Sequence, residues 1–179
     1  MDRPDEGRVV TAQVEVPASL DDVWEAWTTE VGARTFFAPA CRIDLRPGGA
    51  YEMLFDTQAE PGTQGGEGNR ILAIQPRTML SFSWNAPPEL PTVRHQRTHV
   101  CLRFAAAGPQ VTQVSLRHDG WGVGGEWDVA FGYFERAWNQ VVLPRLRYRF
   151  GHGPIDWDHR PELQGATRGN LRRRSGRRY

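Results

Sequence analysis

The sequence predicts an α+β protein in which a curved antiparallel sheet of about seven strands wraps around one long C-terminal helix. Two patterns lead to this prediction. Between residues 10 and 118, several short segments alternate apolar and polar residues, and turn residues separate them. From residue 126 to about 150, apolar residues recur at steps of three and four, which is typical of an amphipathic helix. Such a helix must bury its apolar face against the sheet.

The first predicted elements are a strand and two short helices. Residues 10–16 alternate Val or Ala with polar side chains, as a strand with one buried face does. Ser19 is a typical helix N-cap, and the apolar residues that follow it return at helical spacing up to Trp27. A second short helix is predicted over about 29–36.

A meander of strands follows. Turn residues at 46–49 and 75–77 and a Gly-rich loop at 61–68 separate the segments. The predicted strands cover residues 41–45, 50–55, 69–74, 79–84, 99–104 and 112–118. Their period of two predicts one inward face, made of Tyr51, Met53, Phe55, Leu80, Phe82, Trp84, Val100, Leu102, Phe104, Val114, Leu116 and His118.

Proline interrupts the long helix predicted over 126–150. Pro144 lacks an N–H and crowds the carbonyl of Gln140, so we expect a bend or the end of regular helix there. Continuous, straight hydrogen bonding from Asn139 to Tyr148 would contradict this expectation.

Length and composition fit one domain with a tail. A chain of 179 residues can build one sizeable core, and seven Trp, eight Phe and four Tyr predict an aromatic-rich interior. We expect an N-terminal segment at 1–8, the domain at 9–150 and an Arg-rich tail at 151–179, disordered beyond about residue 160.

Targeting signals and a disulfide framework are not evident. The N-terminus has no apolar signal core, and no stretch reaches the roughly 20 apolar residues that span a bilayer. Cys41 and Cys101 lie far apart and outside any CxxC pattern, which favours neither a disulfide framework nor a zinc site. We therefore expect a cytoplasmic protein without membrane insertion.

Charge is distributed unevenly along the chain. All 21 acidic residues precede residue 168, whereas 168–179 hold six of the 22 arginines. Such a tail can contact phosphates of a nucleic acid. Because the rest of the chain is acidic and no aromatic residues interleave these arginines, a solvated tail is the preferred interpretation.

Aromatic and neighbouring inward-facing residues are the candidates for a ligand-binding wall. Most inward aromatics simply fill a core, so we expect about a third to touch a ligand, with Trp84 and Trp121 the preferred candidates. The candidate set is Trp24, Trp27, Tyr51, Met53, Phe55, Trp84, Phe104, His118, Trp121, Phe134 and Trp138.

His118 is the weak candidate for catalysis. It ends an inward-facing strand series, and this predicts an imidazole near the rim of a cavity, where it could act as a base. The preferred alternative is a structural histidine that hydrogen-bonds a backbone carbonyl. His99 falls on the outer face.

Sequence motifs for common chemistries are missing. The chain contains no GxSxG, HExxH, P-loop or dinucleotide-binding fingerprint, and its five histidines form no ligand pair at a recognised spacing. We therefore expect neither a metal nor a cofactor. Residues 62–68 could cradle a phosphate through backbone amides, but a strand follows them where a helix is needed, so a mobile hairpin loop is the preferred interpretation.

The order of elements resembles the helix-grip fold of START domains, birch-pollen-allergen-like proteins and polyketide cyclases (the SRPBCC superfamily). More closely, several short motifs in order resemble the activator-of-Hsp90-ATPase homologue family over roughly residues 9–150. They are residues 14–19, 23–24, 27, 44–49, 84 and 118–121, followed by a helix containing Trp138.

This resemblance implies three functions, in order of preference. The first is binding of a small apolar or aromatic molecule in a cavity, without catalysis. The second is a cyclase- or aromatase-like enzyme, with His118, Glu52 or Arg34 assisting proton transfer. The third is stimulation of a chaperone ATPase through the surface. The eukaryotic activator carries a further N-terminal chaperone-binding domain for which this chain has no residues, which argues against the third. A homodimer is compatible with the sequence, but no residue pattern argues for one.

Overall fold

The computed structural model describes residues 7–163 and contains seven strands and five helices in that range. The strands are β1 (Val10–Val16), β2 (Ala40–Ile43), β3 (Tyr51–Leu54), β4 (Ile71–Gln75), β5 (Met79–Trp84), β6 (Thr98–Gly108) and β7 (Val111–Asp119). The helices are α1 (Leu20–Thr28), α2 (Glu30–Arg34), α3 (Pro91–Arg94), α4 (Glu126–Arg136) and α5 (Leu143–His152), and a π-helical segment (Ala137–Val142) joins the last two. The predicted α+β class is confirmed.

The strands form an antiparallel sheet of five and a hairpin of two. The larger sheet has the order β1-β7-β6-β5-β4, and β2 pairs with β3. Backbone hydrogen bonds connect the two parts, from Gly48 N to Ile71 O at 2.7 Å and from Ile71 N to Gly49 O at 2.9 Å. The predicted sheet therefore has the right number of strands but is divided where β3 meets β4.

The inward faces are buried as predicted, with one exception. Of the twelve residues assigned inward and the four apolar residues of β1, fifteen are fully buried or nearly so, which confirms the period-two interpretation. Phe55 is 38% exposed. It lies one residue beyond the end of β3 at Leu54, where the alternation of the strand no longer fixes the direction of the side chain.

Side-chain caps begin the two short helices. The Ser19 hydroxyl accepts a hydrogen bond from Asp22 N, and the Thr29 hydroxyl accepts one from Gly32 N. At Gly32 a Cβ atom would lie 2.5 Å from Glu25 O, so only glycine allows α2 to turn this tightly against α1. This turn carries Phe36 and Phe37 into the core, where both are fully buried.

The long C-terminal helix changes its hydrogen bonding just before Pro144. Leu143 N donates to Trp138 O, five residues back, as in a π-helix. Pro144 cannot donate and occupies the first turn of α5, a position where its missing N–H is tolerated. The proline thus interrupts the regular helix as predicted, and a π-helical turn absorbs the interruption.

Two segments differ from the sequence expectation. Helix α3 was not predicted; together with Ala86, Leu90 and Ala130, its Val93 forms a small second apolar cluster. Residues 151–163, which were assigned to the tail, pack against the domain: Ile155 is buried and its N–H donates to Thr35 O at 2.8 Å. One apolar side chain without periodicity leaves little signal in the sequence. The remainder of the predicted tail, 164–179, lies outside the described residues.

No helix within residues 7–163 is long and apolar enough to cross a membrane.

Candidate functional site

His118 lies at the centre of a buried hydrogen-bond chain. The indole N–H of Trp138 donates to His118 Nδ1 at 3.0 Å. An indole nitrogen can only donate, so the neutral imidazole carries its proton on Nε2. That nitrogen lies 2.6 Å from the Thr98 hydroxyl, which in turn donates to Trp84 O at 3.1 Å. Every donor in this chain therefore has an acceptor.

Burial makes His118 a poor base. The residue is fully buried, and desolvation, with a smaller contribution from His99, lowers its pKa to about 3. Placement near a cavity rim was wrong, because the rings of Trp121 and Phe134 lie 4.1 and 5.1 Å from the imidazole and close the strand end. The partners of the imidazole are the side chains of Trp138 and Thr98, and not the backbone carbonyl that the structural alternative predicted.

An open cleft of about 470 Å³ lies on the other side of Trp138. The C-terminal helix, the segment after β5 and the Gly-rich loop enclose it. Phe37, Trp84 and Trp138 form its floor, and their ring centroids lie 5.7 to 5.8 Å apart. Its rim carries large apolar side chains that remain exposed: Phe55 at 38%, Tyr133 at 43% and Val141 at 37%.

Only some of the residues predicted to form a ligand-binding wall line the cleft. Phe55, Trp84, Phe134 and Trp138 line it. The other candidates belong to the packed interior or to the closed strand end: Trp24, Trp27, Tyr51, Met53, Phe104, His118 and Trp121. Of the two preferred candidates, Trp84 reaches the cleft and Trp121 packs against Phe131 and Trp127 on the opposite side.

Several cleft residues were not predicted as site residues. Phe37 follows a short helix without strand periodicity, and Tyr133 and Val141 lie at the edge of the helix face. Arg136, Arg145 and Arg160 line the same cleft. Their signal in the sequence is weak because arginines at helix edges are common on solvated surfaces.

The Gly-rich loop forms a wall of the cleft, and its amides already bind an anionic side chain. The Glu67 carboxylate accepts hydrogen bonds from the backbone N–H groups of Gly62, Gln64 and Gly65. Arg94 is buried and donates to the carbonyls of Gly62 and Gly65 at 2.7 and 3.0 Å. The backbone amides that could have bound a phosphate therefore already donate to Glu67.

The alternative catalytic candidates lie elsewhere. Glu52 accepts a hydrogen bond from Gly68 N and pairs with Arg42 at 3.3 Å on the outside of the hairpin. Arg34 ends α2, and its carbonyl accepts the Trp157 indole N–H at 2.8 Å. Neither side chain lines the cleft. Within residues 7–163, no three His, Cys, Asp or Glu side chains are close enough together to hold a metal ion.

A comparison with known protein families identifies the family of this chain. The sequence model of the activator of Hsp90 ATPase homolog 1-like proteins matches residues 17–150. The chain belongs to this family. No curated protein matches the chain in sequence. The family match ends before Ile155, Trp157 and Arg160, so these packed residues extend beyond the part that the family model describes.

Solved structures of similar fold come from several organisms. CalU16 from Micromonospora echinospora is 23% identical, with 84% of this chain and 78% of that chain covered and a TM-score of 0.55. PFC0360w, an HSP90 activator from Plasmodium falciparum, is 14% identical over 81% and 97% of the chains, with a TM-score of 0.61. The Aha1 dimer from Colwellia psychrerythraea is 16% identical over 73% and 96%, with a TM-score of 0.51. At these identities the likeness establishes the helix-grip fold alone.

Proposed function

We propose that this protein binds a small apolar or aromatic molecule in the cleft between the C-terminal helix and the end of β5. The observation that carries the proposal is the composition of this cleft. An aromatic floor and a rim of exposed Phe55, Tyr133 and Val141 surround about 470 Å³, a volume in the range of small-molecule sites. Water contact with these three side chains is unfavourable, and a ligand that covers them would relieve it.

A cyclase-like reaction has less support. Its three candidates for proton transfer do not reach the cleft: His118 is neutral and closed off, and Glu52 and Arg34 do not line it, so such a reaction would have to use other ionisable groups of the lining, such as Asp56 or Glu89. Tyr133 does line it, but burial and the charge of Glu89 raise the pKa of its phenol. We therefore propose binding without a chemical step.

A surface role in stimulating a chaperone ATPase is the second candidate. The family description and the name of the Plasmodium falciparum relative favour it. Exposed large apolar residues outside the cleft, such as Val31, Leu72 and Val123, lie on separate elements.

A matched pair of substitutions tests the binding proposal. Val141→Trp places an indole at the cleft rim, whereas Val129→Trp makes the same change at an exposed position of α4 that does not line the cleft. Native mass spectrometry of protein purified from its source cells, followed by mass analysis of released molecules, reads out the ligand. We expect a small-molecule adduct with wild type and Val129→Trp and its loss with Val141→Trp.

Two results would contradict the proposal. One is an adduct that survives Val141→Trp at wild-type occupancy, which would place the molecule elsewhere. The other is a bare mass for all three proteins together with no binding of aromatic probes at millimolar concentration. Stimulation of a chaperone ATPase that is equal for the three proteins would then favour the surface role.

A further inference from the structure

Given the proposed function, on which this inference rests, we infer that the ligand of the cleft is amphipathic: an aromatic body bears a carboxylate, and Arg145 binds that carboxylate with help from Arg160.

Arg145 and Arg160 converge on one aromatic ring. The guanidinium carbon of Arg145 lies 5.3 Å from the centroid of Trp157, and that of Arg160 lies 5.6 Å from it. Arg160 Nε also donates to Trp157 O at 3.3 Å. The indole N–H of Trp157 is fixed on Arg34 O at 2.8 Å. Cation–π attraction thus holds two like charges near the same ring at the cleft.

The charge of these groups is not neutralised by the described residues. Arg145 is half-buried, and both burial and the charge of Arg160 lower the pKa of its guanidinium. No carboxylate in residues 7–163 lies within 4 Å of Arg136, Arg145 or Arg160, although other arginines, such as Arg8, Arg77 and Arg94, do form ion pairs. A bound anion would supply the missing charge.

Two acidic residues, Asp56 and Glu89, also line the cleft, and among the described residues neither forms an ion pair with its arginines. Asp56 accepts a hydrogen bond from Gln58 N, and Glu89 raises the pKa of the Tyr133 phenol through its charge. Both lie on segments between elements, one after β3 and one after β5. The arginines of the lining lie on the C-terminal helix and on the segment that follows it.

A carboxylate matches this end of the cleft better than a more highly charged group. Guanidinium binds carboxylate and phosphate alike through two parallel N–H···O bonds, so the preference rests on the cost of removing water from the ligand. A singly charged group also loses less hydration than a phosphate dianion when it enters beside Trp84 and Trp138. Trp157 and Arg160 lie beyond the family match at 17–150, so this preference distinguishes the present chain from what the family pattern specifies.

Paired ring compounds test the inference by titration calorimetry. The probes are carboxylates with one, two or three fused aromatic rings, each compared with its neutral carboxamide and, for the two-ring compound, with its phosphate ester. For at least one ring size we expect the carboxylate to bind about tenfold more tightly than the amide, since charge-assisted hydrogen bonds contribute about 1.5–3 kcal/mol. The phosphate ester should bind no more tightly than the carboxylate.

Substitutions assign the preference to Arg145. Arg145→Gln should lower the ratio of carboxylate to carboxamide affinity about tenfold, and Arg160→Gln should lower it about threefold. Arg147→Gln is the matched control, because Arg147 is exposed on the same helix and does not line the cleft, and it should keep the wild-type ratio. Using the ratio removes effects of a substitution on the cleft as a whole. Arg160 is exposed, so its variant should fold even if Arg145→Gln does not.

The outcomes separate this inference from the proposed function. Equal binding of amide and carboxylate would leave the proposed function standing and overturn the anionic ligand. Tighter binding of the phosphate ester would overturn the choice of carboxylate. An affinity ratio unchanged in both Arg145→Gln and Arg160→Gln would overturn the assignment to these arginines. Failure of every probe to bind would contradict the proposed function and this inference together.

Discussion

The two ends of the interface between the C-terminal helix and the sheet differ in how their polar groups are satisfied. At the His118 end, Trp138, Thr98 and Trp84 O pair every donor with an acceptor, and aromatic rings exclude water. At the Arg145 end, charged side chains face an open cleft without a described acidic partner. A closed network contributes to stability, whereas unpaired groups around an opening are available to a ligand. The position of the most conspicuous titratable residue therefore does not reveal the site.

Trp138 separates the two ends, so its removal should have the largest effect. Trp138→Ala leaves a cavity where a nearly fully buried ring stood and takes the donor from His118 Nδ1. Large aromatic deletions in cores cost about 3–5 kcal/mol. We expect a loss of that size in the free energy of unfolding, measured by urea denaturation.

Val141→Ala, in the same π-helical segment, is the control for this experiment. Its side chain is 37% exposed, so the loss should stay below about 1 kcal/mol. Equal losses for the two variants would mean that the Trp138 ring does not hold the closed end together.

The pH dependence of stability should report on His118 next. The pKa of His118 is about 3 in the folded protein, compared with an ordinary value of 6.5 for a histidine in the unfolded chain. Between pH 3 and 6.5 the unfolded chain therefore binds a proton that the folded protein does not. The contribution of neutral His118 to the free energy of unfolding is therefore complete above about pH 6.5. It is lost as pH falls towards 3, and the free energy of unfolding then falls by up to about 1.4 kcal/mol per pH unit.

His118→Gln separates this contribution from that of the carboxylates. The variant should be less stable at pH 7 because Trp138 Nε1 and Thr98 lose a well-placed partner. Its stability should also fall less steeply than that of wild type between pH 6 and 4, in denaturation curves recorded at each pH. Parallel pH profiles would show that His118 takes up a proton in the folded state and that the closed end admits water.

Local periodicity accounts for much of the fold, and long-range contacts account for what the sequence did not show. Alternation along β5, β6 and β7 predicted which side chains are buried, because each strand carries that information in its own residues. The division of the sheet at Ile71 and the packing of Ile155 depend on partners distant in the chain. Neither leaves a periodic pattern.

The candidate site depends even more than the fold on contacts between residues that are distant in the chain, so less of it could be predicted from the sequence. The sequence pattern identified inward-facing aromatic residues. Which of them line the cleft depends on which ones the C-terminal helix and the Gly-rich loop leave uncovered. Trp24 and Trp84 were both candidates for the ligand-binding wall, yet Trp24 packs edge-on against Phe104 and Trp84 forms the cleft floor. The arginines of the cleft had no local signal, because Arg145 and Arg160 meet only through the fold.

Phe55→Ala should have the smallest effect on stability and thereby sharpen the contrast between the two ends. Phe55 lies on the cleft rim and is 38% exposed, so its removal should change the free energy of unfolding by less than about 1 kcal/mol. Its ring would lie against a bound aromatic body, and we expect affinity for a naphthalene probe to fall about threefold to tenfold. Leu72→Ala, also exposed but away from the cleft, should leave that affinity unchanged. If Phe55→Ala instead lowers stability as much as a core substitution while affinity is kept, the rim of the cleft is part of the packed structure and does not form the ligand contact.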